Sequence, residues 1–310
     1  MSRYFNRSVN GLLVLDKPTG LSSNQALQQV RRLYRAEKAG HTGSLDPLAY
    51  GVLPLCFGEA TKFSQYLLDS DKVYRVTALL GVTTDSGDAE GLVTRTCSVP
   101  AWPVSHIESA LAPFRGTFQQ VPPMFSALKH KGQPLYKLAR QGITVHRGAR
   151  EITVRQLTLL QWEPPKLTLE VAVSKGTYVR TLIEDIGRAL GVGGHVLALR
   201  RLQAGSFLLS QTVSVAQLTA LAEQEGPEAL DRCLQPIGSA VSHWPKALLS
   251  RESTIKLLQG QAVVPIEVSG DDWVQIHHVL DDHGSQDGFV GVGEVLADGR
   301  VAPRRLVRSA

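Results

Sequence analysis

Between Gly40 and Gly51 the chain runs Gly-His-Thr-Gly-Ser-Leu-Asp-Pro-Leu-Ala-Tyr-Gly, and no other stretch restricts its own conformation so tightly. Gly40, Gly43 and Gly51 permit positive φ or close backbone approach, and Pro47 biases Asp46 toward an extended backbone. Such a loop can hold one carboxylate outward in one orientation. Spacing alone leaves two readings: a tight turn capped by an aspartate, because Asp, Gly, Ser and Pro are ordinary turn residues, or a loop that presents Asp46 for chemistry.

The flanking pattern sets the loop in a mixed fold. Residues 11 to 16 read as a buried strand, Lys17-Pro18-Thr19-Gly20 as a turn, and Ser22, Ser23 or Asn24 as the cap of a helix. Ala26, Leu27, Val30, Leu33 and Tyr34 recur at three and four and give that helix one apolar face. Further strands are expected at 52–57, 73–80, 152–160 and 167–173, and helices at 59–68, 105–114, 179–190 and 212–224. The Thr84-Asp85-Ser86-Gly87-Asp88 run reads as a turn. Strands and helices without a regular βαβ rhythm indicate an α+β fold rather than a doubly wound sheet. Near Ser242-His243-Trp244-Pro245 the pattern changes to short strands separated by Asp/Gly turns, which places a boundary between a domain of residues 1–245 and one of 246–310.

Charge points toward a polyanion. The formal charge is +5 and the sequence pI is about 9.1. Residues 246–310 carry seven Lys or Arg against nine Asp or Glu, so the first domain holds a net +7. Within it, residues 111–150 contain Arg115, Lys129, Lys131, Lys137, Arg140, Arg147 and Arg150 and no acidic residue, which makes this stretch the expected phosphate-contacting surface. Cys56, Cys97 and Cys233 are too dispersed for a zinc site or a disulfide framework and fit a reducing cytoplasm. No apolar signal core opens the chain at Met1–Arg7 and no run reaches the length of a membrane span. With no heptad seam or large apolar strip, the default expectation is a monomer without an obligate protein partner.

The loop is similar to the G-H-T-G-[ST]-L-D-P-x-A-[TS]-G signature of the tRNA pseudouridine-55 synthases, the bacterial TruB family, with Tyr50 at a position where that family carries a small hydroxyl residue. Other segments resemble the family in the same order: Lys17-Pro18-Thr19-Gly20; Gly58-Glu59-Ala60-Thr61-Lys62; Lys72-Val73-Tyr74; Pro122-Pro123-Met124-Phe125-Ser126-Ala127-Leu128-Lys129; Gly176-Thr177-Tyr178-Val179-Arg180; and His195-Val196 to Leu199-Arg200-Arg201. The resemblance covers nearly the whole chain. It implies a pseudouridine synthase fold with a mixed, largely antiparallel central sheet, an RNA-clamping thumb at about 120–150, and a small β-rich PUA-like C-terminal domain.

The resemblance also implies an activity: isomerisation of uridine to pseudouridine at position 55 in the T loop of tRNA, by base flipping and C-glycoside formation. Asp46 is then the carboxylate acting at the sugar, Arg180 its cationic partner, and Tyr74 the ring that stacks on uracil. Tyr178 and Leu199 would line the pocket, His41 would fill the gap left by the flipped base, and Lys17 would support the loop. Lys62, Lys129 and Arg140 are the expected phosphate contacts. The reaction adds and removes no atoms, so it calls for no cofactor, and no His or Cys at ligand spacing suggests a metal. Two other classes remain open at this level. One is an RNA-binding or tRNA-folding module without catalysis. The other is a glycoside hydrolase, which normally needs two carboxylates flanking one bond, whereas Glu184 and Asp185 share one expected helix and no clear second acid lies near Asp46 in sequence.

Overall fold

The computed structural model describes residues 7–279 and 288–308; Met1–Asn6, part of the opening read above for a signal core, lies outside them. Its centre is a mixed sheet ordered Val213–Ser214, Gly11–Lys17, Tyr50–Phe57, Gly194–Ala204, Lys72–Leu80, Lys166–Val173, Arg150–Glu163 and Gly116–Gln120. Only Val213–Ser214 with Gly11–Lys17, and Arg200–Arg201 with Tyr50–Gly51, pair in parallel along this path. The remaining neighbours are antiparallel. The fold is α+β, as the residue pattern indicated.

Helices cover the sheet where its strands turn apolar side chains outward. The Ser23–Tyr34 helix buries Ala26, Leu27, Val30 and Tyr34 against Leu13, Leu15, Leu53, Leu55 and Phe57. Ser22 caps it: its hydroxyl accepts from the Gln25 N–H while Gln25 reaches back to the Ser22 N–H. The opposite side of the same strands, Leu12, Val14, Val52 and Cys56, packs on Ala60, Phe63 and Leu67. Strands buried on both faces read as continuous apolar runs, which is what residues 11–15 and 52–57 show. A larger core lies between Val76, Ala78, Leu169 and Val171 of the sheet and Leu182, Ile183 and Ile186 of the Val179–Ala189 helix.

Several elements differ from the sequence expectation. The segment expected as one helix over 59–68 is a 3-10 turn, Gly58–Phe63, followed by a single α turn, Ser64–Leu68. The helix expected over 212–224 begins at Val215, because Val213–Ser214 is taken up as an edge strand, and a further helix, Arg251–Leu258, follows it. Gly194–Ala204, met in the sequence only as a short motif, is a central strand of eleven residues whose two arginines obscure its period. A second sheet, ordered Glu267–Val268, Lys246–Leu249, Trp273–His278, Gly288–Val295 and Val301–Leu306, builds the C-terminal domain.

The two sheets meet at an aromatic seam. Tyr66 lies 4.8 Å from Trp244 and 6.1 Å from Trp273, centroid to centroid, and Phe63 lies 5.4 Å from Phe289. Lys62 Nζ donates to the Leu306 carbonyl at 3.1 Å and the Arg308 N–H donates to Glu59 at 2.6 Å.

Candidate active site

The Asp46 loop is held from three sides. Buried Ser23 grips Leu45: its Oγ accepts from the Leu45 N–H at 2.7 Å and donates to the Leu45 carbonyl at 3.1 Å. Gly20 N–H donates to the Pro47 carbonyl at 2.8 Å. Beneath the loop, Arg201 is 1% exposed and ties its two ends, donating to the Val52 carbonyl at 2.6 Å and to the Gly43 carbonyl at 3.3 Å. Two of the glycines are required by this packing. Gly43 sits at φ +91°, and at Gly51, φ +105°, a Cβ would lie 2.2 Å from the Arg201 carbonyl oxygen.

Arg180, in the first turn of the Val179–Ala189 helix, faces the loop. A cation at a helix N-terminus opposes the dipole, and the structure shows what offsets this. Arg180 Nε meets Asp46 Oδ2 at 3.0 Å and Nη1 lies 3.5 Å from Asp88 Oδ2. Nη1 also donates to the Ser86 carbonyl at 2.8 Å and Nη2 to the Phe125 carbonyl at 2.6 Å. Asp88 is itself buried, 4% exposed, and accepts from Ser86 Oγ at 2.7 Å and from the Glu90 N–H at 3.1 Å. Asp46 opens to solvent through the cleft but is otherwise enclosed by protein. Its carboxyl is raised above the ordinary value, first by burial; Arg180 opposes the rise, Asp88 adds to it, and Lys17 opposes it.

Two spaces meet at Asp46. A cavity of about 340 Å³ is lined by Asp46, Tyr74, Tyr178, Arg180, Leu199 and Phe125, among others. A wider cleft of about 900 Å³ carries His41, Asp46, Arg180, Tyr136 and Arg140. Tyr74 reaches the smaller space from Lys72–Leu80, where it is in register with Val171 on one neighbouring strand and Arg201 on the other. His41 presents a buried Nδ1 without a hydrogen-bond partner, and burial, with Arg201 nearby, lowers its pKa.

The sequence-derived residues therefore divide. Asp46, Tyr74, Tyr178, Arg180 and Leu199 share one cavity, and His41 and Arg140 share the adjoining cleft. Lys17 lines neither: it is fully buried under the loop, its Nζ donates to the Pro18 carbonyl at 2.7 Å, and burial pushes it down to about 8. Lys129 stands exposed on a short hairpin with His130, Gln133 and Pro134. Lys62, expected at phosphate, is instead engaged at the domain seam by Glu59, 2.6 Å away, and by the Leu306 carbonyl. Arg115, grouped in the sequence with cations lacking a counter-charge, pairs with Glu108 at 2.8 Å. Tyr50, the departure from the family signature in the loop, places its ring under the Arg200 guanidinium at 5.1 Å.

Asp88, Ser23 and Arg201 were not assigned to the site from sequence. Asp88 sat inside a run that reads as a turn, and its partner comes from a distant helix. Arg201 carried a signal: an arginine in a strand of otherwise inward apolar positions needs buried acceptors.

The chain as a whole is similar to known proteins. Three family models match end to end: TruB family pseudouridylate synthase, N-terminal domain, at residues 31–179; tRNA pseudouridylate synthase B C-terminal domain at 180–242; and pseudouridine synthase II TruB, C-terminal, at 245–307. The tRNA pseudouridine synthase B of Pseudomonas paraeruginosa is 56% identical over 98% of this chain and 97% of its own length. The protein of the same name from Coxiella burnetii is 49% identical over 99% and 97%. The crystal structure of a Cbf5–Nop10–Gar1 complex superposes with a TM-score of 0.74 at 26% identity, covering 96% of this chain and 85% of that one. The fold is that of a pseudouridine synthase. Within that class, the chain belongs to the TruB family.

Proposed function

We propose that this protein converts uridine 55 in the T loop of tRNA to pseudouridine, in the cytoplasm and as a monomer. The observation that carries the reading is the Asp46 carboxylate, held by Arg180 at 3.0 Å where a cavity of about 340 Å³ opens into a wider cleft.

The geometry suits each step. A uridine inside a folded loop must leave its stack, at a cost of a few kcal/mol. His41 lies in the outer cleft beside the path the base would take, where its ring can occupy the vacated space. In the inner cavity uracil packs between Tyr74 and the Leu199 wall. The ionised Asp46 then acts at the ribose. By attack at C1′ it forms an ester while the N1–C1′ bond breaks and its electron pair passes to uracil N1. By removal of the C2′ proton it yields a glycal and the same uracil anion. Both routes need the anion of Asp46, which Arg180 stabilises in a partly desolvated place. The freed base turns within the cavity and C5 bonds to C1′, expelling the carboxylate or taking back the C2′ proton. Loss of the C5 proton to N1, with Tyr74 beside the ring, completes the isomer.

Arg140 lines the outer cleft, Lys129, Lys131 and Lys137 stand exposed on the same basic segment, and together they supply phosphate contacts, so that recognition rests on loop shape and splayed bases. Mass-spectrometric mapping of an unmodified tRNA transcript after incubation with the protein tests the substrate. One pseudouridine in the T loop is expected, absent when that uridine is replaced by cytidine. Product at another position would overturn the assigned site, and no product in any tRNA would overturn the reading.

A further inference from the structure

The Gly116–Gln120 strand ends at the foot of the basic segment, and the same segment ends where the next strand starts: Gln120 is in antiparallel register with Arg150. Residues 121–149 thus leave and re-enter the sheet at a single rung. The Gln120 side chain points elsewhere. It is 2% exposed, its Oε1 accepts from the Tyr178 N–H at 2.8 Å, and its Nε2 donates to the Tyr178 carbonyl at 3.2 Å. One primary amide therefore satisfies both backbone groups of a single residue, as a neighbouring strand would. That residue immediately precedes the Val179–Ala189 helix and has no side-chain cap of its own. Two positions on stands Arg180, which reaches back to the same segment through the Phe125 carbonyl at 2.6 Å while holding Asp46 at 3.0 Å.

We infer that Gln120 is a positioning residue for catalysis: at the foot of the thumb it fixes the Tyr178 peptide, and through it the guanidinium of Arg180 on the Asp46 carboxylate. The physical reason is leverage. A guanidinium placed by a helix start moves with that start, and a shift of about 1 Å in a catalytic contact can lower a rate by about a hundredfold. RNA seated under the thumb bears on the rung that Gln120 occupies, so substrate binding and alignment of the Asp–Arg pair share one anchor. The inference rests on Asp46 being the reacting carboxylate.

The test uses full-length Gln120→Leu and Gln120→Glu with unmodified tRNA, measuring single-turnover rate against pH, tRNA Kd, and thermal melting. Leucine fills the volume but makes neither bond; glutamate keeps the acceptor and loses the donor. The expected result for Gln120→Leu is a rate lowered about tenfold or more with Kd changed by less than about threefold. Its acid limb should move to higher pH as Arg180 loosens, and Gln120→Glu should fall between. An unchanged rate, a loss that follows Kd or the folded fraction, or an unmoved acid limb would overturn the inference. Should Gln120→Leu fail to fold, Gln120→Glu decides by the same readouts. Asp46→Asn run in parallel separates the two questions: product from that variant would sink the reading of Asp46, whatever happens at Gln120.

Discussion

Asp46 sits where burial works against its charge and Arg180 works for it, and the balance has consequences in solution. In the proposed mechanism Asp46 acts as the carboxylate, and its pKa in the fold lies above the ordinary value of 3.8. The rate should therefore fall as pH drops through that raised value. Removing Arg180 takes away the largest opposing influence, so Arg180→Met should move the acid limb to still higher pH, besides lowering the plateau. An acid limb that stays in place in a pH–rate profile would contradict the pairing.

The same shift bears on stability. A group whose pKa is raised on folding contributes stability that is full below its unfolded value and is lost as pH rises through the folded one. Ionised Asp46 thus opposes folding at neutral pH, and Asp46→Asn should melt no lower than the unmutated protein at pH 7, with any advantage vanishing below about pH 4. Legibility at this scale followed local chemistry only in part. Glycines and a proline isolate Asp46 but left a capped turn equally open until the family resemblance marked it, and Arg180 was named through the same resemblance. Asp88 did not stand out, since a buried acid in a Thr-Asp-Ser-Gly-Asp run looks the same as a solvated one until the guanidinium that meets it is known.

At the scale of elements, the strand–turn–helix that leads into the loop was readable from apolar periodicity and the Ser22 cap. What escaped was the use of side chains as substitutes for backbone pairing. Ser23 lies beside the capping serine and reads as a second cap candidate, yet its hydroxyl serves Leu45. Ser23→Ala should cost about 1 kcal/mol in stability, the net worth of such bonds, and lower the single-turnover rate about tenfold by freeing the residue next to Asp46. Equal rates with a lowered melting point would make Ser23 a fold residue only. The Gly194–Ala204 strand was missed for a related reason: Arg201 points inward, where the strand period predicts an apolar side chain, because two loop carbonyls await it.

Across the whole molecule, the division into a mixed sheet and a β-rich end was visible in pattern, but the seam between them was not, since ring contacts join residues far apart in sequence. That seam separates two lysines that looked alike. Lys129 is exposed on the protruding segment, whereas Lys62 is bound to Glu59 and the Leu306 carbonyl. Lys129→Ala should weaken tRNA binding and reduce the slope of log K against log salt by roughly 0.7 to 0.9, one phosphate contact. Lys62→Met should lower the melting temperature and leave that slope unchanged. A reversed outcome, in binding titrations at several salt concentrations, would reassign the two.

The most direct measurement is pseudouridine formed at single turnover by Asp46→Asn, set against its affinity for the same unmodified tRNA. The proposed role of Asp46 predicts affinity within a few-fold of the unmutated protein and no detectable product. Product at a comparable rate would contradict it, as would a loss of product explained entirely by lost binding.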